Sequence, residues 1–114
     1  MNVKNIVDTL GLQIFSGEQG LDREITGGYT SDLLSDVMGH ADARQIWITL
    51  QTHKNIMAIA SLKELAAIIL VKGYTPEQDT ATQSNAENIP ILGTTDEAFA
   101  ISGKLYKLLE DAKL

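Results

Sequence analysis

Three short apolar runs, Ile46-Trp47-Ile48-Thr49-Leu50, Ala67-Ile68-Ile69-Leu70-Val71 and Ile89-Pro90-Ile91-Leu92, are separated by stretches with helical periodicity. The first is β-branched and aromatic, as strands are. The second is continuously apolar, which predicts a strand covered on both faces. Proline in the third places it at a strand's start or at a sheet edge. Strands alternating with helices need crossover connections, and these favour a mostly parallel sheet with helices on both sides. The expected fold is α/β, a three-layer α/β/α sandwich with about four to five strands.

The remaining segments fit this frame. Val3, Ile6, Val7 and Leu10 have the spacing of a one-sided helix, with Asn2 placed to cap it and Gly11 at its left-handed exit. Leu12–Phe15 reads as a strand broken by Gly17, and Ser16–Leu21 as a loop. Glu24–Tyr29 is a short strand or an extended loop, because two consecutive glycines weaken regular pairing. Thr30 or Ser31 is placed to cap a short helix through Leu33, Leu34, Val37 and Met38, closed by Gly39. A helix from about His53 to Glu64 carries Ile56, Ile59 and Ala60 on one face. Thr75-Pro76-Glu77-Gln78 combines a cap, a first-position proline and a capping box. The nearly all-polar stretch to Asn88 predicts loose packing. Thr94 and Glu97 form another capping box, before Ala98, Ile101, Leu105, Leu108 and Leu109.

The 114 residues fit one domain over 1–114, long enough to bury a core. The net charge of −6 and pI near 4.7 argue against a nucleic-acid partner, which needs a basic face. No cysteine is present, so disulfides, thiolate metal sites and cysteine nucleophiles are excluded. The longest apolar run, Leu65–Val71, falls far short of the roughly 18 residues of a spanning helix. The opening residues have no signal-peptide core. A cytoplasmic protein without a membrane partner is expected.

In open α/β sheets, sites form beyond the carboxyl ends of the strands. Three such places are readable: Thr49 to Asn55, including Gln51 and His53; Lys72 to Tyr74; and Gly93 to Thr95, including Thr94. Separately, Asp22-Arg23-Glu24-Ile25-Thr26-Gly27-Gly28 leads into Thr30-Ser31-Asp32. Gly27-Gly28 permits positive φ and the close approach of a ligand, as in half of an anion cradle, or else makes a tight turn. Neither nucleotide-binding glycine motif is present. Arg23 is an anion clamp, or it fixes its loop through an ion pair or a carbonyl contact. His53 is the best single candidate for proton chemistry, with ligand contact or capping as its other roles. Asp36 and His40 share a helical spacing, but Gly39 between them argues against a metal site. Trp47 is expected in the core or an interface. The residues call for no cofactor.

Asp22, Arg23, Thr26, Gly27 and Gly28 stand in the order that names the DRTGG domain. Tyr29 to Met38, Trp47 to Ile56 and Leu65 to Leu70 are similar to that family's continuation, so the resemblance covers most of the chain. It implies a fold similar to the N-terminal domain of HPr kinase/phosphorylase and to the UDP-binding domain of the Mur ligases. Domains of this family occur as non-catalytic parts of larger proteins, among them pyrophosphatases carrying nucleotide-sensing CBS domains and some phosphotransacetylases. At 114 residues this chain is expected to carry no catalytic or CBS domain. It resembles a stand-alone version whose regulation would act on a separate partner, so the activities of multidomain relatives do not carry over.

Two functions follow as expectations. The first is a non-catalytic regulatory or sensor module acting on a partner enzyme. It would bind a small anionic metabolite or an adenine nucleotide through Asp22, Arg23, Thr26, Gly27, Gly28, Thr49, Gln51, His53, Asn55 and Thr94. The second is a homo-oligomeric interaction or adaptor protein, a dimer, without a small ligand. An enzyme is the weakest reading, because nothing places Ser31 or Ser35 beside His53, and there is no nucleophile elbow.

Overall fold

Each of the three apolar runs forms a strand of one sheet. The computed structural model describes residues 1–113. Its elements are α1 (Val3–Leu10), β1 (Gln13–Ser16), a single 3-10 turn (Glu18–Gly20), β2 (Gly27–Thr30), α2 (Leu34–His40), β3 (Gln45–Thr49), α3 (Asn55–Leu62), β4 (Ala67–Leu70), α4 (Gln78–Glu87), β5 (Ile91–Gly93) and α5 (Ala98–Asp111). The sheet order is β1-β5-β4-β3-β2. β2, β3, β4 and β5 run parallel, and β1 pairs antiparallel with β5. This is the expected α/β/α sandwich with a mostly parallel sheet.

Alternation along the strands sorts the core into two layers. Ile46, Ile48, Ala67, Ile69 and Leu92 pack against Val3 and Ile6 of α1 and Ile101 and Leu105 of α5. Trp47, Ile68, Leu70 and Ile91 pack against Val37 of α2 and Ile56, Met57 and Ala60 of α3. Trp47 is fully buried, as expected, and its indole N–H donates to the Ser31 carbonyl at 2.8 Å. Fully burying such side chains contributes roughly 1.5–3 kcal/mol each.

α4 is held differently. Its buried residues are Thr80 and Ser84. The Thr80 hydroxyl donates to Thr52 C=O at 2.9 Å. The Ser84 hydroxyl donates to Ile89 C=O at 2.6 Å and accepts from Ser16 at 2.8 Å. Asn85 Oδ1 accepts the Gly17 N–H at 2.7 Å. These bonds pull the turn after β1 so close to Asn88 that a Cβ on Gly20 would meet the Asn88 carbonyl.

The first helix matches its reading, with Asn2 as N-cap in a capping box and Gly11 at φ +65°. Other boundaries differ, for physical reasons. Thr75 and Pro76 do not start α4, which begins at Gln78. Glu77 stays extended because its N–H donates to Thr52 C=O at 3.2 Å. Thr94 does not cap α5. Its N–H donates to Leu70 C=O and its C=O accepts from Gly73, so the segment continues the β4 ladder and the helix waits until Ala98. α2 starts at Leu34, after Ser31 Oγ has taken the Leu33 N–H, and it runs through Gly39 to His40. α3 is shorter than the His53–Glu64 expected. Glu24–Tyr29 resolves into β2 with both glycines inside it, paired to Gln45 and Ile46 of β3.

Candidate functional site

The motif that carries the family resemblance sits at the amino ends of the parallel strands. Arg23 sends Nη2 to the carbonyl of buried Leu65 at 3.0 Å, bracing the entrance to β4. Its Nε is buried with no hydrogen-bond partner among the described residues. Thr26 donates its hydroxyl to Ala43 C=O at 2.9 Å and its N–H to Arg44 C=O at 3.0 Å, tying the start of β2 to the turn before β3. Asp22 is exposed beside a hollow of about 250 Å³ that Lys4 and Glu18 also line. Gly27 and Gly28 are not among the positive-φ glycines, which are Gly11, Gly17 and Gly73, and both lie inside β2, so neither the anion cradle nor the tight turn weighed for them is formed. What Gly28 provides is clearance: Leu105 Cδ2 of α5 lies 3.1 Å from where its Cβ would stand.

Thr49, Gln51, His53 and Asn55 lie at the opposite, carboxyl ends. β3 alone, at about 3.3 Å per residue, separates the two groups by about 13 Å. The single site expected from all ten residues therefore divides into separate places. At the carboxyl rim Asp32 occupies the mouth. Its Oδ1 accepts from the Thr49 hydroxyl at 2.8 Å and from Leu50 N–H at 2.9 Å, while its backbone C=O accepts from Gln51 Nε2 at 2.9 Å. His53 has a carboxylate partner that the sequence did not disclose: Nδ1 lies 2.8 Å from Glu77 Oε2, and both side chains are solvent-exposed. Asn55 is exposed as the first residue of α3. Nearby, hydrogen bonds from the Ser31 and then the Tyr29 side chain hold the Asp36 carboxyl below its usual range, with His40 Nδ1 3.2 Å from Asp36 Oδ1 adding to this. Asp36 and His40 thus share one unbroken helix, but no third His, Asp or Glu joins them among the described residues.

Thr94 lies in a third place, a hollow of about 300 Å³ at the carboxyl ends of β4 and β5. Gly73, Thr94, Thr95, Asp96 and Lys104 line it, with the Lys104 ammonium 2.8 Å from Asp96 Oδ2. Thr94 Oγ1 is occupied by the Asp96 N–H at 3.1 Å.

A further concavity was not anticipated. It is a groove of about 540 Å³ between β2 and α5, floored by Thr26, Gly27, Gly28 and Thr30 and walled by α5. Thr30 Oγ1 lies 2.7 Å from Ser102 Oγ, and Leu105 sits over Gly28, so α5 runs antiparallel to β2. Two aromatic side chains stand along the wall, Phe99 at 92% and Tyr106 at 69% exposure. Their seven-residue spacing, off the stripe of Ile101, Leu105 and Leu108, is the signal that could have disclosed them.

No family model matches the chain, and no curated protein matches it. Among solved structures it is similar to the CBS and DRTGG domains of the regulatory region of a Clostridium perfringens pyrophosphatase, complexed with the activator diadenosine tetraphosphate. The TM-score is 0.71 at 18% identity. The match covers 91% of this chain and 45% of that one, so this chain spans less than half of that structure. A likeness at this identity speaks of architecture, and the architecture it supports is that of a DRTGG-like α/β domain, in agreement with the resemblance carried by Asp22 to Gly28.

Proposed function

We propose that this chain is a non-catalytic regulatory module that works by protein contact, with the face formed by β2 and α5 as its working surface. The observation that carries the reading is the 540 Å³ groove, whose wall leaves Phe99 and Tyr106 uncovered. Exposed aromatic residues on one continuous face are the composition of an interface centre. The Asp32 bonds across the carboxyl rim, and the use of Arg23 and Thr26 as braces, count against a ligand pocket built from those residues. The test replaces Phe99 with a photo-crosslinking phenylalanine analogue, and Leu62, exposed on α3 in the opposite layer, with the same analogue. The reading expects discrete protein adducts at position 99 and none at 62. Equal yields at both positions, or none at either, would refute it.

A second reading, a sensor for an anionic metabolite or adenine nucleotide, is favoured by one place only. The hollow at the ends of β4 and β5 brings Thr94, Thr95 and Gly73 together with the Lys104 ammonium. The similar pyrophosphatase region is described as complexed with a dinucleotide activator. Calorimetry with AMP, ADP, ATP, UDP and diadenosine tetraphosphate decides it. Heat abolished by Lys104→Ala supports it, and no heat at millimolar ligand removes it.

A further inference from the structure

We infer that the occupant of the β2/α5 face is a second copy of this chain, joined by antiparallel pairing of β2 with its counterpart about a two-fold axis at Tyr29. The inference rests on the reading of that face as the working surface and names what sits on it.

The argument begins with the free edge of the sheet. β2 is its last strand and pairs only with β3. The Gln45 and Thr49 carbonyls accept from Ala66 and Val71 on the β4 side, so Ile46 and Ile48 between them turn theirs to β2. Ser31 N–H donates to Ile48 C=O at 3.2 Å. In a parallel ladder, alternate residues of a strand bond to one neighbour. Tyr29 and Ser31 therefore face β3, and the N–H and C=O groups of Gly28 and Thr30 point away from the sheet. Both residues are solvent-exposed. Such an edge is a template for another strand.

The spacing of those outward groups is self-complementary. With two copies antiparallel and Tyr29 on the axis, Gly28 of each faces Thr30 of the other. These are the pairs that exchange both N–H···O=C bonds in an antiparallel ladder, while Tyr29 falls at the non-bonded position. The same axis is perpendicular to the sheet, so it lays the two α5 helices antiparallel on one face. Because Ser102 stands over Thr30 and Leu105 over Gly28, Phe99 of one copy meets the second half of the other α5, which presents Tyr106 and Leu109.

Charge selects the same face. Two copies at −6 each repel, which disfavours contact through acidic surface and favours a face low in charge. Among the described residues, the groove's only charged lining residues are Glu110 and Lys113, which neutralise one another at 3.0 Å. Charge depletion of this kind characterises an interface core.

Sedimentation of the intact chain from micromolar to submillimolar concentration tests the inference. The expected mass is twice the 12.4 kDa of the single chain. Thr30→Pro removes an outward N–H without touching a bond to β3 and is tolerated at an edge. Phe99→Glu puts like charges at the seam from a position already in solvent, so it leaves folding intact. Each weakens association by at least about tenfold, while Leu62→Glu in the opposite layer leaves it unchanged. The Gly28 and Thr30 amide resonances shift with concentration. A chain that stays monomeric throughout, or a dimer indifferent to both variants, overturns the inference. If position 99 crosslinks a different protein while the chain sediments as a monomer, self-pairing fails and the reading of the face stands. If a dimer persists but position 99 yields no adduct, both fail.

Discussion

Arg23 separates a structural brace from a ligand clamp, and its removal has a calculable effect. The side chain spans from the loop before β2 to the carbonyl of Leu65, a fully buried residue, at 3.0 Å. A hydrogen bond from a charged donor contributes about 1.5–3 kcal/mol, and a buried carbonyl left without it bears its desolvation cost. Against this, Arg23→Ala also releases the buried, unpartnered Nε, which recovers on the order of 1 kcal/mol. The net loss is about 1.5 kcal/mol. An unfolding entropy near 2.1 cal/mol/K per residue gives about 0.24 kcal/mol/K for 114 residues, so Tm falls by about 6 °C. Calorimetric melting in ligand-free buffer measures it, and Arg23→Lys should recover only part, because a point charge cannot reproduce the guanidinium's reach and planarity. A ligand-free Tm for Arg23→Ala within about 1 °C of wild type would refute the brace and free the guanidinium for an anion.

Three further outcomes are expected. Gly20→Ala drives a Cβ into the Asn88 backbone carbonyl, which cannot move as a side chain tip could. It should cost at least about 2 kcal/mol in urea unfolding, and a loss below about 0.5 would show that the turn relaxes. Glu97 is the N-cap of α5 with extended backbone but no side-chain cap bond, so Glu97→Ser should raise stability by about 0.5–1 kcal/mol by denaturant titration, with no gain contradicting the assigned start. Asp36 ionises below its usual 3.8, through hydrogen bonds from the Ser31 and then the Tyr29 side chain, against the opposing effect of burial. A lowered carboxyl pKa stabilises the fold above the unfolded value and loses that contribution as pH falls through the folded one. Asp36→Asn should therefore flatten the acid limb of a Tm–pH profile below about pH 4, and an unchanged limb would assign acid unfolding to other groups.

The layers were legible because burial on both faces leaves its mark in composition. Ile46–Leu50 and Ala67–Val71 could hardly be anything but internal strands, and β3 and β4 fall within one residue of those limits. Helix starts were less legible. The capping signals at Thr75 and Thr94 are real local preferences, but Glu77 and Thr94 are claimed first by backbone bonds to neighbouring segments. The site was read least well, for a reason of topology. Thr49 was readable at the carboxyl end of its strand, but whether Gly27 shares that rim depends on the direction of β2 relative to β3, which only the assembled sheet fixes. Gly-Gly suggested a left-handed turn, whereas the constraint on Gly28 comes from Leu105, 77 residues further along the chain. Asp32 and Glu77 were invisible for the same reason: their partners are brought to them only by the sheet.

The mooring of α4 by Thr80 and Ser84 has a consequence for how the molecule breathes. Lifting this helix away breaks hydroxyl bonds but uncovers little hydrocarbon of its own. Such an opening has a shallow dependence on denaturant and a small heat-capacity change, unlike the concerted loss of the sheet. Cooling weakens the oily layers beneath α1, α3 and α5 while leaving the hydroxyl ties of α4 largely untouched, so the helix least convincing in its amino-acid pattern is the one whose attachment depends least on temperature.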